Sequence, residues 1–266
     1  MHRRRCLVEY TNIKLDKENR VATIWLNRPD ALNALSPELM AELSVALIDV
    51  AADESIKALV VRGEGRAFCA GADLAYFQTT LANTALLPPY LAQINEILGQ
   101  IEKLPFPAIA VVHGFALAGG LELMMACDMT IVAEDARLGD QHVNFGLVPG
   151  GGSTQRLPRR VGLQRAMELL TTGRWISGSE GVEWGLALRS VPADNLDEEL
   201  ESLLYPLRIK SRAGLALIKE VTLRGMGLPL DDGVAMESFA FAKFLTTSPH
   251  PAEGIKAFLE KRQPEF

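Results

Sequence analysis

Short apolar runs and segments of helical period alternate along the first half of the chain. Val21-Ala-Thr-Ile-Trp-Leu26 is β-rich and stops at Asn27-Arg-Pro29, the kind of punctuation that ends a strand. Ser36-Pro-Glu-Leu39 predicts a helix start, with Ser36 as N-cap and Pro37 in the first turn, where a missing N–H costs nothing. Behind it Leu39, Met40, Leu43, Ala46, Leu47 and Val50 share one helical face. Lys57 to Arg62 predicts a buried strand ending at Gly63-Glu-Gly65, and the alternation from Leu7 to Leu15 predicts an earlier one. A helix is expected from Pro88-Pro-Tyr90 to Leu104, stopped by Pro105-Phe-Pro107. Ala108–Val112 and Met129–Ala133 read as two more strands. Strands interleaved with helices predict an α/β architecture.

From about Ser153 the pattern turns mostly helical, with predicted helices over 153–172, 177–186, 194–208, 211–225, 231–246 and 251–262. No low-complexity linker or internal repeat divides the chain, so one continuous fold is expected. Its 266 residues are 48% hydrophobic with a net charge of −6 and a pI near 5.4. That acidity argues against non-specific nucleic-acid binding. No apolar run reaches the length of a membrane span. Cys6, Cys69 and Cys127 have neither disulfide nor metal-site spacing, which fits a reducing compartment. The basic start His2–Arg5 precedes an alternating segment rather than an apolar signal core, so it is expected to be a solvated tail of a cytoplasmic protein.

The chemistry concentrates between Gly114 and Asp128, where small residues run into a helix-forming stretch that carries Glu122. The first turn of a helix presents unpaired N–H groups to a ligand, and Gly119 and Gly120 have no side chain to block them. A second small-residue loop, Ala70-Gly-Ala-Asp73, follows the Lys57–Arg62 strand. One donor from Ala72 and one from Gly119, converging on a single oxygen, would form an oxyanion cradle beside Glu122. The stretch Gly63–Leu74 that contains this second loop lacks a Rossmann third glycine, since Phe68 stands there, and no P-loop Gly-Lys-Ser/Thr follows. Asp73 is expected to cap a short helix.

These segments resemble the enoyl-CoA hydratase/isomerase (crotonase) superfamily. The resemblance is carried by Leu26–Leu35, Arg66–Leu74, Ala110–Leu123, Cys127-Asp128, Gly146–Leu157 and Glu253–Arg262, in order from about Val8 to Phe266. It implies a spiral of ββα units over 1–195 with the active site, and a C-terminal helical region over 196–266 that completes the CoA site and the oligomer interface. It further implies an acyl-CoA thioester substrate, a homotrimer or hexamer (dimer of trimers), no metal, and no cofactor beyond the coenzyme A moiety of the substrate. The thioester oxygen is expected on the N–H groups of Ala72 and Gly119. Arg28, Ala31, Leu32, Ala70 and Ala72 fall where family members bind CoA, and Phe258 and Lys261 where a neighbouring subunit's CoA is often reached.

Typical hydratases of this kind hold water between two glutamates. Glu122 matches the first, whereas the second position is His142. Imidazole titrates near neutrality and can act as acid or base, so His142 is either a proton-handling partner of Glu122 or a polar pocket residue. Enoyl-CoA hydration is the leading expectation. Double-bond isomerisation or thioester hydrolysis with a single glutamate, and non-catalytic acyl-CoA binding, are the alternatives. RNA binding is disfavoured by the acidic helix from Glu38 to Asp53. His113 and Cys69 read as structural, Gly150–Ser153 as a turn into the next helix, and Arg156, Arg159, Arg160 and Arg165 as a solvated or interface face.

Overall fold

The computed structural model describes residues 9–266; the basic start His2–Arg5, Cys6 and the beginning of the predicted Leu7–Leu15 strand lie outside them. Two strands open the fold, β1 (Ile13–Glu18) and β2 (Val21–Leu26), followed by α1 (Pro37–Ala52) and β3 (Ala58–Gly63). Ser36 caps α1 by accepting the Leu39 N–H, and the six predicted apolar residues of α1 are its buried face. Next come α2 (Leu74–Ala82), α3 (Leu87–Glu102), β4 (Ala108–Val112), β5 (Phe115–Leu117) and α4 (Gly119–Ala126). Asp73 caps α2 as expected, accepting the N–H groups of Ala75 and Tyr76. Beyond α4 lie β6 (Met129–Ala133), β7 (Arg137–Gly139), α5 (Ser153–Val161), α6 (Leu163–Thr172), β8 (Ile176–Ser177), α7 (Gly178–Glu183) and β9 (Arg189–Val191). The chain ends in α8 (Leu196–Arg208), α9 (Arg212–Gly225), α10 (Leu230–Thr247) and α11 (His250–Leu259).

Six strands form one sheet in the order β1-β2-β3-β4-β6-β9, parallel except for the β1/β2 pair. Every residue of β4 is buried, as a strand covered on both faces requires, and this is why its sequence is unbroken apolar rather than alternating. A second, shorter sheet runs β5-β7-β8, and single bridges Cys69–Ala116 and Leu35–Ala72 extend it. The chain therefore winds through both layers, giving the α/β spiral that the sequence predicts. The second layer was not legible in the sequence: its strands are two or three residues long, too short for a period to register.

The predicted helix 153–172 is two helices. Gly162 sits between them at φ 80°, ψ 164°, a conformation reserved for glycine that no helix can contain.

The C-terminal helices hold the N-terminal ends of the parallel strands. Arg212 donates to the carbonyls of Ala51 and Ile56, just before β3. Lys219, nearly buried, donates to the carbonyls of Ile101 and Phe106 ahead of β4 and pairs with Asp128 ahead of β6 at 2.8 Å. At the opposite, carboxyl ends, where ligands of parallel sheets usually bind, β3 leads into the loop that carries Ala72, and β4 leads through Gly114 into β5, which ends at the Ala118–Gly119 turn.

Candidate active site

The loop after β3 is laced onto β5. Phe68 N–H donates to His113, Cys69 N–H to Phe115, and Leu117 N–H returns to the Cys69 carbonyl. The contact is so close that a Cβ on Gly120 would collide with the Cys69 carbonyl. Leu35 N–H donates to the Gly71 carbonyl at 2.8 Å and fixes the loop from its other side.

Ala118 then turns the chain at φ 49°, ψ −117°, a sparsely populated region for a residue with a Cβ. Its N–H donates to the Gly139 carbonyl and its carbonyl accepts the Glu122 N–H, and these two bonds hold the strained turn. Gly119 follows as the first residue of α4, where no intrahelical acceptor exists. A methyl group built on Gly119 would stand 3.5 Å from the Ala72 nitrogen. The structure thus brings the two predicted donors side by side, and neither N–H is taken by a backbone acceptor in a turn, cap or loop of the described residues.

Glu122 lies one turn into α4 and is 1% exposed. Its Oε1 accepts the Gly151 N–H at 2.9 Å and the Ser153 N–H at 3.0 Å. Gly150–Ser153 is a turn into α5, as expected, but it also clasps this carboxylate, a role that sequence reasoning missed. Burial pushes the Glu122 carboxyl above its usual range, and Asp140 adds to that. The Ser153 and Gly151 hydrogen bonds and the nearby His142 oppose the rise without cancelling it.

His142 stands in a short turn after β7, its side chain 13% exposed. Its Nδ1 is 2.8 Å from Oδ1 of Asp140, and its backbone N–H is 3.3 Å from the same oxygen. Burial disfavours the imidazolium, yet the Asp140 hydrogen bond and the charges of Asp140 and Glu122 outweigh it and raise His142 above the ordinary histidine value. Asp140 is fully buried and its Oδ2 has no protein partner. Its alternation within Leu138-Gly-Asp140 was the available signal for an inward direction, but a three-residue strand is too short to trust one.

The residues expected at CoA also converge. Pro29–Ala31 forms a 3-10 turn, Leu32 and Asn33 follow at φ 49° and 57°, and the Leu32 carbonyl accepts the Ala70 N–H at 3.0 Å. Arg28 pairs with Asp73 at 2.8 Å. Fully buried Asn33 latches this region: its Oδ1 accepts the Arg28 N–H, and its amide donates to the carbonyls of Glu64 and Ala67. That latch was absent from the sequence reading.

Phe258 and Lys261 are not brought to this region within the protomer. Phe258 is 82% exposed on α11, whose neighbourhood ties to the start of β3 through Lys57 and the Phe266 carbonyl. A cavity of about 680 Å³ opens on that same end of the sheet, between Cys127, Arg156, Ile218 and Lys219, and not at the cradle.

Other candidates resolve structurally. His113 Nε2 bonds the Gly65 carbonyl. Cys69 and Cys127 are buried thiols pushed up to about 12 by burial, hence protonated and unreactive. The arginine cluster divides. Arg159 and Arg165 are exposed, but Arg160 donates to the Met125 and Cys127 carbonyls at the end of α4, and Arg156 pairs with Glu102 and the Gly151 carbonyl. The expected solvated face is therefore half a clamp, because α4 ends inside the molecule with carbonyls that need donors.

An uncommitted pair of N–H donors next to a buried, raised carboxylate is equipment for polarising a carbonyl and moving a proton. The enoyl-CoA hydratase/isomerase family model matches residues 16–266. The chain belongs to this family. It is 37% identical over 258 residues to a crotonyl-CoA hydratase of Syntrophomonas wolfei, covering 97% of this chain and 98% of the relative. It is 35% identical over 257 residues to a probable enoyl-CoA hydratase of Mycobacterium tuberculosis, with 97% and 98% covered. A crystal structure of an enoyl-CoA hydratase from Bacillus anthracis superposes with a TM-score of 0.92 at 36% identity, covering 96% of this chain and 99% of that one. Family membership thus agrees with the spiral α/β fold and its helical C-terminal region.

Proposed function

We propose that this protein is an enoyl-CoA hydratase that adds water across the double bond of a 2-enoyl-CoA. The observation that carries the reading is the Ala72/Gly119 donor pair beside Glu122. A thioester oxygen held by both N–H groups becomes the enolate oxygen as water adds at Cβ, and each such donor typically contributes ~3 kcal/mol to that developing charge. Glu122 Oε1 is occupied by Gly151 and Ser153, which leaves Oε2 to take the proton of the attacking water. Its raised affinity for a proton suits a general base working near neutrality. His142 is the second proton-handling group.

The turn at Arg28–Leu32 with Ala70 would hold the CoA moiety, and the reaction needs no further cofactor and no metal. α10 has no buried residue, and Leu230, Phe239, Phe241 and Phe258 are exposed on the C-terminal helices. Such a surface supports assembly as a homotrimer or a dimer of trimers, in which Phe258 and Lys261 would reach a neighbour's CoA. No helix among the described residues is long and apolar enough to cross a membrane. The likeness to enoyl-CoA hydratases supports a place in fatty-acid metabolism, and the buried free thiols of Cys69 and Cys127 fit a reducing, cytoplasmic compartment.

The test is turnover of 2-enoyl-, 3-enoyl-, 3-hydroxyacyl- and saturated acyl-CoA by wild type, Glu122→Gln and His142→Ala. Reversible hydration of the 2-enoyl thioester that falls at least ~10²-fold in Glu122→Gln is expected. Hydration unaffected by that change refutes the mechanism. Conversion of 3-enoyl-CoA alone would make the enzyme an isomerase, free CoA a hydrolase, and binding without turnover a non-catalytic protein.

A further inference from the structure

The hydratase reading leaves open how a site with histidine in the second position handles its proton. We propose that Asp140 is the positioning residue for this step: it grips His142 through Nδ1 and keeps it an imidazolium facing Glu122, so that the site works with one carboxylate and one cation instead of two carboxylates. The inference deepens the hydratase assignment and rests on it.

The geometry is specific. With Asp140 Oδ1 2.8 Å from Nδ1, that nitrogen carries hydrogen in both protonation states, and Nε2 is the atom that gains and loses the proton. The same oxygen takes the His142 backbone N–H, so ring and backbone are both tethered. The turn is anchored beyond the pair as well: Gln141 and Asn144 side chains both donate to the Gly173 carbonyl at the end of α6. On the other side, the Gly139 carbonyl, in the peptide that leads into Asp140, holds the N–H of Ala118. Asp140 is therefore rigidly connected both to His142 and to the strained turn that presents Gly119.

Burial supplies the second argument. A fully buried carboxylate is costly unless a cation or several donors compensate it. Asp140 has two donors, both from His142, and its Oδ2 has none. Among the described residues, the charged groups acting on His142 are Asp140 on its own turn and Glu122 from α4, both negative. With both carboxylates ionised, an imidazolium between them leaves one uncompensated negative charge, where a neutral imidazole would leave two.

The step balances. Water forms its C–O bond at Cβ and gives a proton to Glu122, while the double-bond electrons move into the thioester and are held as the enolate at Ala72 and Gly119. The enolate collapses by forming a Cα–H bond with the proton on His142 Nε2. Glu122 is then protonated and His142 neutral, and transfer of one proton between them through solvent restores the starting state.

Asp140→Asn keeps the shape and removes the charge. Its alkaline limb in the kcat/KM profile should move to lower pH, kcat should fall more at pH 8 than at pH 6 and by no more than the ~10²-fold that a general acid supplies, and KM should change little. In a His142→Gln background the same substitution should cost under about twofold, because the group it positions is gone. An equal loss at all pH values, or an equal cost in both backgrounds, overturns the proposal. NMR titration of the His142 ring in the wild type gives a readout that does not depend on the variant folding. Titration above the ordinary imidazole value with hydrogen retained on Nδ1 is expected, and titration at or below that value overturns the inference. If the wild type fails to hydrate any enoyl-CoA, the hydratase reading fails, while the titration still reports whether Asp140 charges His142.

Discussion

In Gly119→Ala a single methyl group enters the cradle. Gly119 is not among the residues with positive φ, so alanine fits its backbone, and at a helix start alanine is favoured over glycine by up to ~1 kcal/mol. The new carbon would lie 3.2 Å from Leu35 Cδ1, the flexible end of a side chain that can yield. It would also lie 3.5 Å from the Ala72 nitrogen. A thioester oxygen must sit about 2.9 Å from both donor nitrogens, which is the space this methyl crowds from beside the Ala72 nitrogen. The oxygen is then forced off at least one donor, a loss of roughly 10² to 10³ in kcat, or ~2.7–4 kcal/mol of transition-state stabilisation. The assay is steady-state hydration, followed by the loss of the conjugated enoyl thioester chromophore, alongside thermal unfolding. Gly120→Ala is the control: its Cβ would strike the Cys69 carbonyl, a backbone atom, so that variant should fail in folding instead of chemistry. A Gly119→Ala enzyme with wild-type Tm and less than a tenfold loss in kcat would refute the two-donor cradle.

A Cβ on Gly151 would collide with Glu122 Oε2 and stand 3.0 Å from Ile94 Cγ2, so Gly151→Ala should displace the base, costing about 10²-fold in kcat and about 1–3 kcal/mol of stability from overpacking; rate assays and denaturant titration check the two parts. Asn33→Ala deletes the three hydrogen bonds that the buried Asn33 side chain makes around the Arg28–Leu32 turn. It should cost about 2–4 kcal/mol in urea unfolding and raise KM for acyl-CoA more than it lowers kcat. Glu122→Gln should be more stable than the wild type at neutral pH. Folding raises the Glu122 pKa, so the wild type loses stability as pH climbs from the unfolded carboxyl value through the folded one, and a neutral amide does not. The difference in Tm should close as pH is lowered to the carboxylate range, and a gap independent of pH would refute the charge argument.

Much of the scaffold was written locally. Ser36 and Asp73 announce their helices because a side-chain oxygen that satisfies an orphan N–H acts within three residues of itself. The strands Ala108–Val112 and Met129–Ala133 were legible to the residue, because strands buried on both faces require continuous apolar runs. Family membership was readable from motif order alone, and with it the candidates Ala72, Gly119, Glu122 and His142. What remained hidden depends on residues distant in sequence. Glu122 is held by Gly151 and Ser153, 29 and 31 positions away, and nothing in the Gly-Gly-Gly-Ser run specifies a carboxylate as its guest. Nothing around Asn33 in the sequence marks it as the residue whose amide bridges to Glu64 and Ala67, more than thirty positions away. The second sheet layer consists of fragments that are stable only because they pair with each other. By itself, then, the sequence determined which helices and strands form and which chemical groups are available, since capping, periodicity and glycine freedom are short-range effects. The tertiary structure decided that Ala72 lies beside Gly119, that Glu122 is buried with its proton affinity raised, and that Asp140 rather than solvent faces His142. Distance, burial and charge in that site arise only when separate turns of the spiral close on one another.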